Sequence, residues 1–241
     1  ISFISGDMRV ASISNLPFLI SNFDELQKAM EVMAPYIEEE FKSYGVKQLW
    51  YYPWPPQQLW GSGNPINHTD GLKNVSIRAQ SPEQATFLNS IGAVPVSLNT
   101  NEVPTAAQRG TVKGVITASL NILGSKWYEF TDWGYFIGLS VPPSYIIVNE
   151  KAFNDLPSDL QQVLLDTAAE YQAKVFDHFA QIEAESAKEL VDNYGITIVE
   201  ASEENMRQLI ELSIPYWESW AQERGATVVE AVGKVREILN K

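Results

Sequence analysis

The sequence contains no cysteine and only two histidines, His68 and His178, among its 241 residues. Without cysteine the chain has no disulfide, no thiol nucleophile and no Cys-based metal site. The two histidines form no HExxH pattern, so a zinc enzyme would have to rely on carboxylates. We interpret both histidines as surface or capping residues, and we predict no metal ion and no cofactor.

Basic residues are also scarce, because 17 Lys and Arg against 30 Asp and Glu give a formal net charge of −13. Such a surface repels phosphate backbones, which argues against a nucleic-acid partner. No apolar run is long enough to span a bilayer, and no signal peptide is visible. The motifs of serine hydrolases, P-loop enzymes and dinucleotide-binding enzymes are absent. A serine hydrolase and a nucleotide-dependent enzyme therefore have little support from the sequence.

The apolar residues alternate between strand and helix spacing. Hydrophobic residues make up 45% of the chain, enough for a packed core in one large or two modest domains. Residues 75–117 read as β-α-β-α-β, which is typical of α/β architecture. Residues 157–193 keep a helical period throughout. A helix of that length needs two surfaces to pack on, so we predict that it bridges two lobes.

Three prolines follow an aromatic strand predicted over residues 46–52. They predict a rigid loop over residues 52–62, because proline removes a ladder donor and fixes its own φ. Such a loop can present Gln57 or Gln58 and an aromatic wall to a cleft. The alternative is a purely structural corner of prolines and tryptophans.

Arg78 has an unusual position among the few arginines. It ends a predicted strand directly before a helix that Ser81 caps. Ligands of open α/β sheets bind beyond the carboxyl ends of strands, where a guanidinium can clamp a carboxylate with paired donors. We expect a partly hydrated side chain; a buried structural ion pair is an equal alternative. Thr117 also ends a strand, and Gln57 and Gln58 follow one, so these groups could converge. The six arginines are at positions 9, 78, 109, 207, 224 and 236.

Several segments together resemble the periplasmic solute-binding proteins of tripartite ATP-independent periplasmic (TRAP) transporters. Each segment is weakly specific, but their order and spacing match over essentially the whole chain. The segments are 15–20 (NLPFLI), 71–78 (GLKNVSIR), 91–96 (IGAVPV), 102–114 (EVPTAAQRGTVKG), 126–129 (KWYE) and 148–157 (VNEKAFNDLP).

The resemblance implies an α/β fold of two lobes, joined by crossing hinge strands and spanned by a long helix. The first βαβ segment of that fold is missing here, and residues 1–5 resemble the strand that follows it. The implied N-terminal lobe comprises 1–53 plus about 142–175. The implied C-terminal lobe comprises 54–141 plus about 176–225, followed by a C-terminal helix over 226–241.

The resemblance also implies a site. The arginine of the family's LKxLKIR motif, which binds the ligand carboxylate, corresponds to Arg78, and a family asparagine that reaches the carboxylate corresponds to Thr117. The second arginine of some members is absent from the loop at residues 54–60, while Lys113 and Pro104 replace a usual aspartate and tyrosine. These departures favour a monocarboxylate with a less polar body, such as an aromatic or branched 2-oxo or 2-hydroxy acid. The predicted ligand-binding residues are Trp54, Gln57, Gln58, Arg78, Thr100 and Thr117.

The implied function is a monomeric extracytoplasmic binding protein in the periplasm, which is not an enzyme and has no catalytic residue. It would capture an organic acid, close its lobes and deliver the ligand to the membrane subunits of a TRAP permease. Two alternatives remain open. The protein could pass the ligand signal to a sensor kinase, or it could be an enzyme on the same scaffold, since fold does not fix function.

Overall fold

A computed structural model describes residues 8–241, apart from the side chain of Ala173. The strand predicted over residues 1–5 lies outside this range. The described strands are β1 (Val46–Pro53), β2 (Gln58–Gly61), β3 (Ser76–Ala79), β4 (Val94–Ser97), β5 (Gly114–Thr117), β6 (Trp133–Phe136), β7 (Pro143–Asn149) and β8 (Thr197–Glu200). The helices are α1 (Phe23–Ser43), α2 (Pro82–Ser90), α3 (Val103–Gln108), α4 (Ser119–Gly124), α5 (Glu150–Asn154), α6 (Ser158–Tyr194), α7 (Glu203–Arg224) and α8 (Ala226–Leu239).

The strands form two sheets. Strands β1 and β7 pair antiparallel in a two-stranded sheet. The other six strands form a sheet in the order β4-β3-β5-β2-β6-β8. In it β3 runs parallel to β4 and β5, whereas β2 is antiparallel to β5 and β6. The predicted βαβ units over 75–117 therefore form the parallel half of this sheet.

The six-stranded sheet is covered on both faces. Val115 and Ile116 are neighbours on β5, yet they belong to separate hydrophobic clusters. Because successive strand residues point to opposite faces, the two clusters lie on opposite sides of the sheet. The larger cluster contains apolar residues of α1, α2, α7 and α8. The smaller cluster contains residues of α3, α4 and α6, and its members are Trp60, Val103, Val115, Ile122, Trp127, Leu190 and Ile196.

Helix α6 is the longest element, with 37 residues and a length of about 55 Å. Its Gln172 accepts a hydrogen bond from the backbone of Tyr51 on β1, at 2.9 Å. Further along, its Leu190 packs into the smaller cluster beside the six-stranded sheet. The predicted helix over 157–193 is thus confirmed, and it contacts both sheets.

The capping pattern Asn22-Phe23-Asp24-Glu25 predicts a helix start at Asn22, as Ser81 does for the helix after β3. The side chains of Asn22 and Ser81 accept hydrogen bonds from the backbone of Glu25 and Gln84 at the starts of α1 and α2. In the sequence, Pro35 predicts a kink or a break in the helix that follows Asn22, and Pro215 predicts an interruption of a later helix. Both α1 and α7 continue through these prolines without a break.

The loop predicted over 52–62 is wrong in its second half, because β2 lies there. This strand is buried along its whole length and lies between β5 and β6. The prolines occupy only the connection from β1 to β2, where no ladder donor is needed. Four residues between a proline run and a glycine carry too little periodicity to reveal a strand.

Candidate ligand-binding site

Arg78 lies on β3 and faces the smaller hydrophobic cluster, since its neighbours Ile77 and Ala79 belong to the larger one. The guanidinium donates three hydrogen bonds. Nε reaches the carbonyl oxygen of Leu98 at 3.1 Å, and Nη1 reaches that of Ile116 at 3.4 Å. Nη2 reaches Oγ1 of Thr100 at 3.5 Å.

The Arg78 side chain has no solvent exposure, which corrects the expectation of a partly hydrated group. Within residues 8–241, no carboxylate forms an ion pair with it at 4.0 Å or less. The structural ion pair that the sequence left open is therefore not found in the described chain. Burial lowers the pKa of the guanidinium to about 10, so Arg78 still carries a positive charge at neutral pH.

Thr117 ends β5 next to Arg78, because Arg78 pairs with Val115 in the β3–β5 register. The Thr117 side chain is fully buried, and its Oγ1 accepts a hydrogen bond from Nδ2 of Asn121 at 3.0 Å. Its carbonyl oxygen accepts a second bond from the indole of Trp60 at 2.9 Å. The structure thus brings Thr100, Thr117 and Arg78 into one neighbourhood at the carboxyl ends of β3 and β5.

Gln57 and Gln58 are both buried, but they have different environments. Oε1 of Gln58 accepts hydrogen bonds from the backbone of Ile137 and Gly138, both at 2.8 Å. It therefore ties β2 to the segment after β6, and its acceptor oxygen is occupied. Gln57 instead pairs with Gln80, whose Nε2 donates to Oε1 of Gln57 at 2.7 Å.

Gln80 is a candidate residue that sequence reasoning missed. It lies in the bend directly after β3, two positions after Arg78. Its amide is only partly buried. The signal in the sequence is its place directly before the capping residue Ser81, at the strand end that we associate with ligands. Gln57 and Gln80 thus form a pair of side-chain amides near the carboxyl end of β3.

Trp54 is half-buried and belongs to a row of aromatic side chains along β1. Trp50 and Tyr52 lie 5.8 Å apart between ring centroids. Tyr52 stacks on Phe179 of α6 at 5.4 Å, and Trp54 lies 6.0 Å from the same ring. Trp60, in contrast, is fully buried in the smaller cluster. Trp60 is thus a structural residue of the corner formed by prolines and tryptophans, while part of the Trp54 side chain is exposed to solvent.

A surface cavity of about 400 Å³ lies next to the connection that covers Arg78. Leu98, whose carbonyl oxygen accepts from Arg78, is one of its lining residues, together with Asn101, Thr105 and Arg109. Among residues 8–241, no group of three or more His, Asp or Glu is arranged to hold a metal ion. None of the described helices has an apolar stretch long enough to cross a membrane.

The fold is similar to those of solved solute receptors. DctP7, a Bordetella pertussis extracytoplasmic solute receptor binding pyroglutamic acid, has a TM-score of 0.89 and 23% identity, over 98% of this chain and 78% of that one. A TRAP periplasmic solute-binding protein from Sulfitobacter sp. NAS-14.1, with bound α-D-taluronate, has a TM-score of 0.84 and 25% identity, over 97% and 75%. These likenesses confirm the predicted class of two-lobed α/β binding proteins.

Sequence comparison identifies the family. Residues 2–223 match the family described as bacterial extracellular solute-binding protein, family 7, and the chain belongs to it. It is 28% identical over 224 residues to the solute-binding protein NAS141_03721 of Sulfitobacter sp. (strain NAS-14.1), covering 91% of this chain and 67% of that protein. It is 23% identical over 223 residues to the C4-dicarboxylate-binding periplasmic protein DctP of Rhodobacter capsulatus, covering 91% and 66%. The chain thus spans about two thirds of these relatives.

Proposed function

We propose that this chain is the solute-binding part of a TRAP-type receptor that captures an organic acid through Arg78. The receptor would work as a monomer in the periplasm and deliver its ligand to the membrane subunits of the permease. It would return the ligand chemically unchanged. Membership of an extracellular solute-binding family supports this function. The predicted lobe boundaries remain part of the proposal.

The unpaired positive charge of Arg78 is the observation that carries the proposal. Its three bonds to carbonyl and hydroxyl oxygens leave two of its five N–H donors without a hydrogen bond in the described chain. A buried charge without a partner costs several kcal/mol. A ligand carboxylate would supply the missing charge and accept two N–H groups in one plane. A neutral analogue would leave that cost in place.

The ligand must displace part of the wall to reach Arg78. Leu98 and Thr100 cover the guanidinium, and their contacts come from the connection after β4. The bond to Thr100, at 3.5 Å, is the longest of the three, so it costs least to replace. Movement of this connection toward the neighbouring cavity would expose the two remaining donors.

The set of candidate residues suggests a monocarboxylate with a compact, partly apolar body. A single arginine offers no second clamp for a dicarboxylate. Trp54 and Phe179 provide ring faces, and Gln57 and Gln80 provide amides for a carbonyl or hydroxyl oxygen. Aromatic or branched 2-oxo and 2-hydroxy acids fit this description. So do cyclic acids of the kinds bound by the similar receptors, namely pyroglutamate and uronates.

Calorimetric titration with a panel of acids tests the function. The panel contains pyroglutamate, D-galacturonate, 2-oxo and 2-hydroxy acids with branched or aromatic bodies, and succinate. The neutral lactam 2-pyrrolidone is the matched control for pyroglutamate because it lacks only the carboxylate. We expect binding of at least one monocarboxylate, no binding of the lactam, and full recovery of the acid after incubation. Binding of the lactam with equal affinity, binding of no acid, or appearance of a product would each refute the proposal.

A further inference from the structure

Glu183 on α6 forms an unusual contact with the turn that follows β5. Its Oε1 accepts a hydrogen bond from the backbone of Ser119 at 2.8 Å, and its Oε2 accepts one from Leu120 at 2.9 Å. These are the first amides of α4, which have no partner inside their own helix. The preceding residue, Ala118, has no side chain that could cap them. A carboxylate from another helix therefore takes the place of the missing cap.

The same turn carries contacts of the proposed ligand site. The carbonyl oxygen of Ile116 accepts a hydrogen bond from Arg78, and Oγ1 of Thr117 accepts one from Asn121. Ile116 accepts the hydrogen bond from Arg78, and the Ser119 amide donates to Glu183. Only two residues separate Ile116 from Ser119. A shift of Glu183 must therefore move the turn, and with it one of the three acceptors that position the guanidinium.

Helix α6 connects this contact to the two-stranded sheet. One helical turn before Glu183, Phe179 stacks on Tyr52 of β1. Further back, Gln172 accepts a hydrogen bond from the backbone of Tyr51. The stretch from Gln172 to Glu183 is about 16 Å of continuous helix. A displacement of β1 relative to the six-stranded sheet is thus transmitted along a rigid element to Ser119 and Leu120.

We propose that Glu183 is a positioning residue that couples α6 to the turn at residues 116–121, and so sets the geometry of the Arg78 guanidinium. The coupling itself is independent of any ligand; its meaning for binding rests on the proposed role of Arg78. A glutamine cannot replace the carboxylate, because its amide nitrogen would face one of the two N–H groups that now donate to oxygen.

NMR of the ¹⁵N-labelled chain tests the coupling without a ligand. The signals are the amides of Ser119 and Leu120 and the Nε–H group of Arg78. In Glu183→Gln we expect all three signals to shift, and the two amides to exchange with solvent at least about tenfold faster than in the parent. Glu185→Gln is the matched control, because Glu185 is exposed on the same helix and accepts a hydrogen bond from Gln181, one turn earlier on α6. It should leave the three signals in place.

A pH titration of the parent protein gives a second measurement, which is decisive even if Glu183→Gln does not fold. Burial raises the pKa of Glu183, while the bonds from Leu120 and Ser119 oppose that shift; no other charged group contributes. On acidification in added salt, the Ser119, Leu120 and Arg78 signals should move with one common midpoint above 4.5. An Arg78 signal that does not move with the two amides, in the titration or in Glu183→Gln, would show that Glu183 only caps α4.

The two proposals fail in distinguishable ways. The acids of the calorimetric panel serve as binding probes for the parent and for both variants. If none of them binds the parent while the three NMR signals remain coupled, the proposed function fails and the coupling stands. If an acid binds the parent and Glu183→Gln equally well with an unchanged Arg78 signal, the function stands and the coupling fails.

Discussion

The guanidinium carbon of Arg78 lies 5.9 Å from the ring centroid of Trp127, on the face of the sheet that carries the smaller hydrophobic cluster. The indole provides the negative face of its π system at a distance where a cation is attracted. The described chain provides no carboxylate for the same charge. This contact offsets part of the cost of burial but leaves the paired N–H donors for a ligand.

Arg78→Lys should weaken ligand binding although it keeps the charge. A lysine has no planar pair of donors, so at least one charge-assisted hydrogen bond is lost. Such bonds contribute about 1.5–3 kcal/mol, which predicts an affinity at least about tenfold lower. Calorimetry with the best acid of the panel measures the change. Arg109→Lys, an exposed arginine near the neighbouring cavity, is the control and should bind as the parent does.

Gln58→Ala should lower stability more than it lowers affinity. Its side-chain oxygen serves two buried backbone donors, at Ile137 and Gly138. Each unsatisfied donor costs about 1–3 kcal/mol, so the free energy of unfolding should fall by about 2 kcal/mol or more. Urea denaturation measures it. Gln162→Ala on the exposed face of α6 is the control, and equal midpoints for the two variants would contradict the structural role.

Trp54→Ala should reduce affinity for cyclic or aromatic acids several-fold, whereas Trp54→Phe should retain most of it. The reason is that the ring of Trp54, beside Phe179, is the end of the aromatic row nearest the proline connection. Aromatic contacts contribute about 0.5–1.5 kcal/mol beyond the area they bury. Trp50→Ala, at the opposite end of the row, is the comparison. If both alanine variants lose the same affinity, the row is only scaffold.

Lys241→Met should destabilise the protein by about 1–3 kcal/mol. The Lys241 side chain is only 12% exposed, and its ammonium donates to the carbonyl oxygens of Phe18 and Leu19 and to the carboxylate of Glu25. Chemical denaturation gives the difference from the parent. The matched control is Lys151→Met, since that lysine is 83% exposed in its ion pair with Asp155. An exposed pair contributes at most about 1 kcal/mol.

Glu183 also makes stability depend on pH in a defined direction. Because burial raises its pKa in the folded state, the folded protein binds this proton more tightly than the unfolded chain does. Glu183 therefore contributes most to the free energy of unfolding at low pH. This contribution declines as the pH rises from the ordinary pKa of a glutamate through the raised pKa of Glu183 in the folded protein. Urea titrations at several pH values should show this decline in the parent relative to Glu183→Gln. If the difference in unfolding free energy between the parent and Glu183→Gln is the same at every pH, the expected pH dependence is wrong.

Local signals in the sequence were sufficient for the main elements. Asn22 and Ser81 cap their helices as predicted, because a cap depends on residues within one turn. The position of Arg78 at the end of a strand follows from the same short-range reasoning. Its complete burial does not, because Leu98, Thr100 and Trp127 reach it from later parts of the chain.

Glu183 was missed because acidic residues are abundant on α6 and look like a solvated helix face. The available signal was its spacing, since it lies seven residues after Phe176 and seven before Leu190, both of which are buried. That spacing places all three on one side of the helix. Strand β2 was missed for another reason, since its pairing with β5 and β6 depends on contacts across more than 50 residues.

The number of helical residues between Gln172 and Glu183 sets the distance between the contacts that α6 makes with β1 and with the turn after β5. The helix contains neither proline nor glycine from Ser158 to Tyr194, so neither residue introduces a kink into it. Inserting one alanine between Gln172 and Glu183 would turn the carboxylate by about 100° and carry it about 1.5 Å along the axis. Even four alanines would not restore the register, because the carboxylate would return to the correct side but lie about 6 Å too far along. The spacing between these two residues is therefore as much a determinant of the site as their identity.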